Sequence, residues 1–195
     1  MSASTLVTDA VQDAGRLAAL RDAGLLDTAP EEVFDRFTRL ARELLDVDVS
    51  LVSLVDHDRQ FFKSQAGLPE PWAGARQTPL SHSFCQRVVR TGQPLVVSDP
   101  KEDSRVAGNG AVRDLGVTGY AGVPLTLAGG QTLGAFCVIT GEPHSWTDRE
   151  MRTLHAARTR GSQRREPRAS WRSAISSSRL GTSSTFWCRT RLVAA

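Results

Sequence analysis

The sequence has few cysteines. Cys85, Cys137 and Cys188 are the three in the chain, and they lie far apart in sequence. An odd number of cysteines without a Cys-x-x-Cys pair argues against a disulfide framework and against a zinc knuckle. Cysteine usage of this kind is typical of a reducing compartment, so the sequence predicts a cytoplasmic protein.

Long hydrophobic runs are also missing. Because no stretch of about 18 apolar residues occurs, the sequence predicts no transmembrane helix and no membrane partner. The first ten residues, MSASTLVTDA, contain neither a basic region nor an apolar block, and therefore predict no secretory signal. The chain is nevertheless long enough for one domain with a buried core and appended segments.

Charge is distributed unevenly along the chain. The formal net charge is +3, whereas residues 161–195 contain seven Arg and one Glu and therefore carry +6. Residues 1–160 consequently carry −3. An acidic globular part followed by a basic segment is not the pattern of a nucleic-acid-binding domain, so we expect no nucleic-acid partner.

The clearest strand pattern is in residues 116–140. Val117–Leu127 is rich in β-branched residues, and Ala128-Gly-Gly130 joins it to a second apolar run, Thr132–Thr140. Two such runs joined by Gly-Gly predict a β-hairpin. Within the second run, Leu133–Ile139 is apolar at odd and even positions alike, which predicts a central strand with both faces covered.

The rest of the chain alternates between helical and strand patterns. Helices are predicted at residues 10–23, after a capping box at Thr28–Glu31, at Ser81–Thr91, and after a second capping box at Thr147–Glu150. Strands are predicted at Val47–Val55, Arg59–Ala66 and Pro94–Ser98, with irregular loops at 67–74 and 101–116. Hairpins outnumber crossovers in this order, so the sequence predicts an α+β fold with a mostly antiparallel sheet.

Several of these segments together resemble one family. They are, in order, RLAALRDAGLLDTAPEEVFDRFTRLARELL, VSLVDHDRQFFKSQAGL, SHSFCQRVVRTGQPLVVSDP, YAGVPL, LGAFCVI and WTDREMRTL. Between about Arg16 and Ala157 the chain resembles a GAF domain, the sensing or scaffolding module of bacterial signalling proteins. It is most similar to GAF domains found beside diguanylate cyclases, sensor histidine kinases and SpoIIE-type phosphatases.

The resemblance implies a fold and a domain organisation. The implied fold is a GAF-like (PAS-related) central antiparallel β-sheet of five to six strands with helices packed on it. The expected divisions are an N-terminal helix and linker at 1–27, the GAF domain at 28–158, and a basic Ser- and Arg-rich tail at 159–195. The first and last helices are expected to pair with those of a second protomer, giving a homodimer.

The resemblance also implies where a small molecule would bind. The expected place is between the sheet and the layer formed by the Ser81–Thr91 helix and the long loop. Six candidate ligand-binding residues follow: Phe84, Cys85, Asp99, Arg105, Tyr120 and Phe136. Arg105 could bind a carboxylate or a phosphate, and Tyr120 offers a hydroxyl on an apolar body. Each also has a structural interpretation, such as Asp99 in a turn and Phe136 in the core.

His82 and Cys85 are three residues apart and therefore share a helix face. They could be a base and a nucleophile, or two metal ligands; alternatively Cys85 packs in the core and His82 faces solvent. We expect no catalytic residue and no metal ligand. Cofactors are left open. A covalently attached bilin is not expected, because Gln86 rather than His follows Cys85, unlike in bilin-attaching relatives. The Asn-Lys…Phe…Asp-Glu pattern of cyclic-nucleotide-binding relatives is not present either.

The tail breaks the earlier patterns. Arg and Ser dominate residues 161–195, and Gly161 and Pro167 interrupt the helix predicted after Thr147. A basic nucleic-acid-binding arm is one interpretation of the tail. We prefer an out-of-frame extension without regular order, which would make the chain a truncated sensor that lost its output domain. The predicted function is a non-catalytic sensory or regulatory module. The alternatives are a dimerisation scaffold without a ligand and, more remotely, an enzyme like the free methionine-R-sulfoxide reductases.

Overall fold

A computed structural model describes residues 9–158. In this part of the chain six strands form one antiparallel sheet, which confirms the predicted α+β architecture. The strands are β1 (Val49–Val55), β2 (Arg59–Ala66), β3 (Gln77–Pro79), β4 (Leu95–Val97), β5 (Gly119–Thr126) and β6 (Thr132–Thr140). Their order across the sheet is β3-β2-β1-β6-β5-β4. The predictions about the tail lie outside the described residues.

The predicted hairpin forms the middle of this sheet. β5 pairs with β6 from Gly119 opposite Thr140 to Thr126 opposite Thr132, and β1 pairs with the other edge of β6. β6 approaches β1 so closely that a Cβ on Gly134 would lie 1.9 Å from the carbonyl oxygen of Ser53. Only glycine therefore fits at this position of the strand.

Helices cover both faces of the sheet. One face packs against α1 (Ala14–Asp22), α2 (Glu32–Leu45) and α6 (Asp148–Arg158), and the other against α3 (Trp72–Ala75), α4 (Cys85–Thr91) and α5 (Gly110–Asp114). Successive side chains of β6 point to opposite faces of the sheet. Ala135 and Cys137 belong to one apolar cluster, and Phe136 and Val138 belong to the other. Among residues 9–158, no helix is both long and apolar enough to cross a bilayer.

Some local predictions are confirmed and others are corrected. The capping box at Thr147 forms, because Glu150 Oε2 accepts from Thr147 N at 2.7 Å and Thr147 Oγ1 accepts from Glu150 N at 3.3 Å. The helix predicted from Ser81 begins only at Cys85, after a short 3₁₀ turn at Leu80–His82. Residues 67–74, predicted to be irregular throughout, run into the four-residue helix α3.

The capping box predicted at Thr28–Glu31 is wrong, because Lys63 occupies its polar atoms. Lys63 is fully buried at the point where the β1–β2 register shifts. Its Nζ donates to Thr28 Oγ1 at 2.6 Å and to the Ala29 carbonyl at 2.9 Å, and pairs with Glu31 at 2.7 Å. Leaving a buried ammonium without hydrogen-bond partners costs more free energy than leaving an exposed helix start without a cap.

Arg16 attaches the N-terminal segment to the sheet. Its guanidinium is buried and donates to three backbone carbonyls: Ala10 at 3.0 Å, Val11 at 2.5 Å and Val55 at 2.7 Å. The Val55 carbonyl belongs to the end of β1, so one side chain links α1, the turn before it and the sheet. The N-terminal helix is thus packed as part of the same structural unit as the strands.

Arg16→Ala should destabilise the domain strongly, because it leaves three carbonyls without their donor. We expect the free energy of unfolding to fall by about 3 kcal/mol. Urea denaturation of the full chain measures this change. Arg21→Ala is the matched control, since exposed Arg21 on the same helix donates only to Leu17 O at 3.2 Å, and its cost should stay within about 0.5 kcal/mol. Equal costs for the two variants would contradict the role given to Arg16.

Candidate functional site

A small cavity lies between the sheet and the α4–α5 layer. Its apolar wall includes Leu51, Phe62, Leu68, Phe84, Val117 and Ile139. Its polar lining groups are Gln60, His82, Cys85, Tyr120 and Cys137. The cavity volume is about 20 Å³, which admits one or two water molecules. The cavity therefore lies where the resemblance places a small molecule, but it has no room for a ligand of several heavy atoms.

Three of the six candidate residues line this cavity together. Phe84 and Cys85 reach it from the start of α4, and Tyr120 reaches it from β5. The rings of Phe84 and Tyr120 are 5.2 Å apart. Tyr120 lies opposite Ile139 in the sheet, so the two side chains project from the same face.

Phe136 is on the other face of the sheet, which corrects its predicted place in the pocket. Its ring centroid lies 4.6 Å from that of Phe37 on α2. Strand alternation accounts for this: Ala135 and Cys137 face the cavity side, so Phe136 between them must face α2. The mismatch between Tyr120 and Phe136 depends on the register of the two strands, in which Tyr120 lies opposite Ile139 and Phe136 lies opposite Val123.

Asp99 and Arg105 are not among the cavity-lining residues either. Asp99 Oδ1 accepts a hydrogen bond from Lys101 N at 2.9 Å, as expected of a turn former. Arg105 is largely exposed, pairs with Asp103 through its Nε at 2.9 Å, and donates to the Val96 carbonyl at 2.7 Å. Both residues therefore shape the long loop and its junction with β4, which agrees with their structural interpretation.

A buried cluster of two thiols and one phenol lies at the cavity wall. Cys85 Sγ is 3.6 Å from Cys137 Sγ and 3.3 Å from Tyr120 Oη. The hydrogen bond from Cys137, supported by that from Tyr120, lowers the pKa of Cys85. The same contact with Cys85 raises the pKa of Cys137, while burial raises the pKa of Tyr120. Cys85 is therefore the sulfur that most readily becomes a thiolate.

His82 is engaged elsewhere and does not pair with Cys85. Its Nε2 lies 2.8 Å from Asp114 Oδ2, and its Nδ1 lies 2.9 Å from Ser81 Oγ. An ionised carboxylate can only accept, so Nε2 is the donor. This contact joins α5 to the segment before α4 at the rim of the cavity. The Cys85–His82 couple considered from sequence spacing is therefore not formed.

Two polar lining residues were missed in the sequence. Gln60 Oε1 accepts a short hydrogen bond from Ser83 Oγ, which in turn accepts from Gln86 N of α4 at 3.1 Å, so β2 is connected to the start of α4. Cys137 is in the strand that was predicted to be apolar on both faces, yet its sulfur contacts that of Cys85. A glutamine inside a predicted strand was a weak signal for Gln60. The contact made by Cys137 depends on which helix packs on its strand, which the sequence does not show.

Three side chains of metal-ligand type lie together elsewhere. Among the described residues, Asp56, His57 and Asp58 have ligand atoms within 4.8 Å of one another. They form the turn between β1 and β2, where His57 and Asp58 are exposed, and none of them lines the cavity. An exposed acidic turn of this kind is common without an ion.

An antiparallel sheet with a helical layer on each face defines an α+β domain. Comparison with known proteins identifies the family to which this domain belongs. The family model for the GAF domain matches residues 27–157, more than half of the chain. The chain therefore belongs to the GAF domain family, and it is a domain of the kind found in signalling proteins.

Solved GAF domains share the fold. The GAF domain of phosphoenolpyruvate-protein phosphotransferase from Acinetobacter is 16% identical with a TM-score of 0.54, covering 77% of this chain and 92% of that one. The blue-light-absorbing form of the PixJ GAF domain from Thermosynechococcus elongatus is 21% identical with a TM-score of 0.53, covering 75% and 86%. Identities this low show a common fold alone.

A curated relative is more similar in sequence. The cyclic di-GMP phosphodiesterase PA2567 of Pseudomonas aeruginosa is 35% identical over 129 residues, which are 66% of this chain and 21% of the relative. The chain thus spans about a fifth of the length of the curated relative that it matches.

The Asp114 carboxylate generates a pH prediction. The hydrogen bond from Arg113 is the largest cause of its lowered pKa, and together with the hydrogen bond from His82 it brings that pKa to about 2. Because this is below the ordinary value of about 3.9, ionised Asp114 stabilises the fold at pH above about 4 and loses that effect as pH falls towards 2. Carbon-13 NMR of the side-chain carboxyl measures the titration directly.

Arg113→Ala should raise the pKa of Asp114, because it removes the larger of the two contributions. Arg152→Ala, which removes an exposed arginine from α6, is the matched control and should leave the titration unchanged. An Asp114 that already titrates near its ordinary value in the unsubstituted chain would contradict the geometry at the cavity rim.

Proposed function

We propose that this GAF domain is a regulatory module whose cavity, once opened, binds a small, mostly apolar and uncharged molecule. The observation that carries the proposal is the lining: apolar side chains surround a few convergent polar groups under a thin helical cover. Concave sites of this composition are the usual places for small ligands. In this proposal the chain senses and transmits, and carries no catalysis of its own.

The charges around the cavity favour an uncharged ligand over a nucleotide. Among the described residues that line it, none is Lys or Arg. The one imidazole, His82, already donates to the Asp114 carboxylate. Burying a phosphate without cationic partners or several N–H donors is costly. A ligand with one or two hydrogen-bonding groups suits Gln60, Tyr120 and the thiols better.

Ligand binding in this proposal requires α5 to move. Small-ligand pockets usually enclose about 300–1,000 Å³, far above the present volume. α5 is five residues long and is joined to the body by the His82–Asp114 contact and by Asn109 Nδ2, which donates to Ser83 O at 3.1 Å. A ligand would shift the population towards an open form only by its preference for that form.

The curated relative supports a proposal for the pathway. That relative is a cyclic di-GMP phosphodiesterase, and this chain corresponds to a minor part of it. We propose that the chain serves cyclic di-GMP signalling as a regulator, and that the nucleotide is not its own ligand. The absence of cationic lining groups among the described residues supports this division.

A thermal-shift screen of the full chain tests the ligand class. The probes are indole, phenol and benzamide as uncharged molecules, with cyclic di-GMP, cyclic GMP, haem and free amino acids beside them. A true ligand at a hundred times its Kd stabilises by about 2.7 kcal/mol, which raises Tm by about 5–10 °C for a chain of this size. We expect such a shift among the uncharged probes only.

Ala111→Leu should abolish that shift, because buried Ala111 lines the cavity and a larger side chain fills it. Val112→Leu, next to it on α5 but outside the lining, is the control and should retain the shift. A cyclic di-GMP shift lost only in Ala111→Leu would overturn the assignment of an uncharged ligand. No shift with any probe would favour the scaffold alternative.

A second copy of the chain is the partner we propose. α1 packs on β6 and α6 packs on the neighbouring β5, so the two terminal helices lie on one face of the sheet. Ligand-dependent changes in the sheet could then reach both helices. Sedimentation equilibrium of the full chain over a range of concentrations should show a monomer–dimer equilibrium, and a monomer at every concentration would contradict this proposal.

A further inference from the structure

Two cysteines from distant parts of the chain meet behind the cavity. Cys85 is the first residue of α4 and Cys137 is in the middle of β6, 52 positions later. Both thiols are free and buried, with their sulfur atoms 3.6 Å apart. The contact arises because α4 packs on β6 and because strand alternation turns Cys137 towards that helix.

The geometry is close to that needed for a disulfide. A bond requires the sulfur atoms to approach to about 2.05 Å, which is about 1.5 Å nearer than they are now. Side-chain rotation at the two residues supplies such a movement more easily than displacement of a helix. Both residues also line the cavity, which has room for one or two water molecules and hence for hydrogen peroxide, with its two heavy atoms.

We propose that Cys85 and Cys137 form a redox site in which a peroxide converts the two thiols into a disulfide joining α4 to β6. The Cys85 thiolate attacks one peroxide oxygen, the O–O bond breaks, and Cys85 becomes a sulfenic acid while the leaving oxygen takes up the thiol proton. The Cys137 sulfur then attacks Cys85 Sγ and displaces hydroxide. That hydroxide leaves as water with the proton of Cys137, so two thiols are oxidised and one peroxide is reduced.

The surroundings decide which cysteine attacks. Tyr120 Oη and the Cys137 thiol both lie within hydrogen-bonding distance of Cys85 Sγ and can donate to a thiolate there. These hydrogen bonds outweigh burial in setting the pKa of Cys85 below its ordinary value, whereas the pKa of Cys137 is raised. Cys85 is thus the peroxide-reactive residue and Cys137 the resolving one.

The disulfide would change the cavity that the proposed function uses, yet its formation does not depend on any ligand. It would connect the α4 wall covalently to the sheet and remove both thiols from the lining. Failure of every ligand probe would therefore leave this inference intact, and failure of oxidation would leave ligand binding intact.

The experiment is a thiol map of the folded, full-length chain. Cys188→Ser serves as the background, so that the third cysteine cannot exchange. The reduced protein is treated with hydrogen peroxide, unfolded, alkylated with iodoacetamide and digested without reduction for mass spectrometry. We expect a cross-linked peptide pair containing Cys85 and Cys137, lighter by two hydrogen atoms than the separate thiol peptides and lost on treatment with dithiothreitol.

Two matched variants in the same background test the order of reaction. With Cys137→Ser, dimedone should label Cys85 as the trapped sulfenic acid; with Cys85→Ser, Cys137 should stay reduced at the same peroxide concentration. If either variant fails to fold, the thiol map of the parent chain still decides. Two fully alkylated thiols in the folded protein, under conditions that cross-link the same chain in guanidinium chloride, would overturn the proposal.

Discussion

The fold depends on β6, which hydrogen-bonds to a strand along each edge and buries a row of side chains on each face. Its neighbours β1 and β5 both run antiparallel to it, β2 and β4 extend the sheet beyond them, and α1, α2, α4 and α6 pack on these three central strands. A strand in this position must be apolar on both faces and narrow where its neighbour comes close. The run Leu133–Ile139 and the glycine at 134 meet both conditions.

The two faces of that centre are covered differently, and the difference creates the site. On one face the fourteen-residue helix α2 packs together with α1 and α6, and its Phe37 ring lies against Phe136. On the other face the cover consists of short helices and a long polar loop. Short elements with few anchoring contacts open at lower cost than long packed helices. The opening that the proposed function requires would therefore cost less on this face than on the other.

Buried polar groups connect the irregular segments to this frame. Arg16 joins the turn before α1 to the end of β1, and Lys63 on β2 donates to the Ala29 carbonyl in the segment before α2. Gln60 and Ser83 do the same for the start of α4. At the cavity, the thiols and Tyr120 form a polar cluster in an apolar wall. Because the cluster joins α4 to the sheet, a change in its oxidation state or a molecule bound to it would affect both.

Local pattern alone determined the α+β class, the central hairpin and the capping box at Thr147, because each rests on side-chain period or turn chemistry within a few residues. The resemblance to the GAF family, rather than the pattern, indicated Phe84, Cys85 and Tyr120 for the site. Only the tertiary structure decided that Phe136 faces α2, that Lys63 takes the polar atoms of Thr28, and that Cys137 touches Cys85. Those outcomes depend on register and on which helix covers which face, and such long-range choices leave no periodic trace in the sequence.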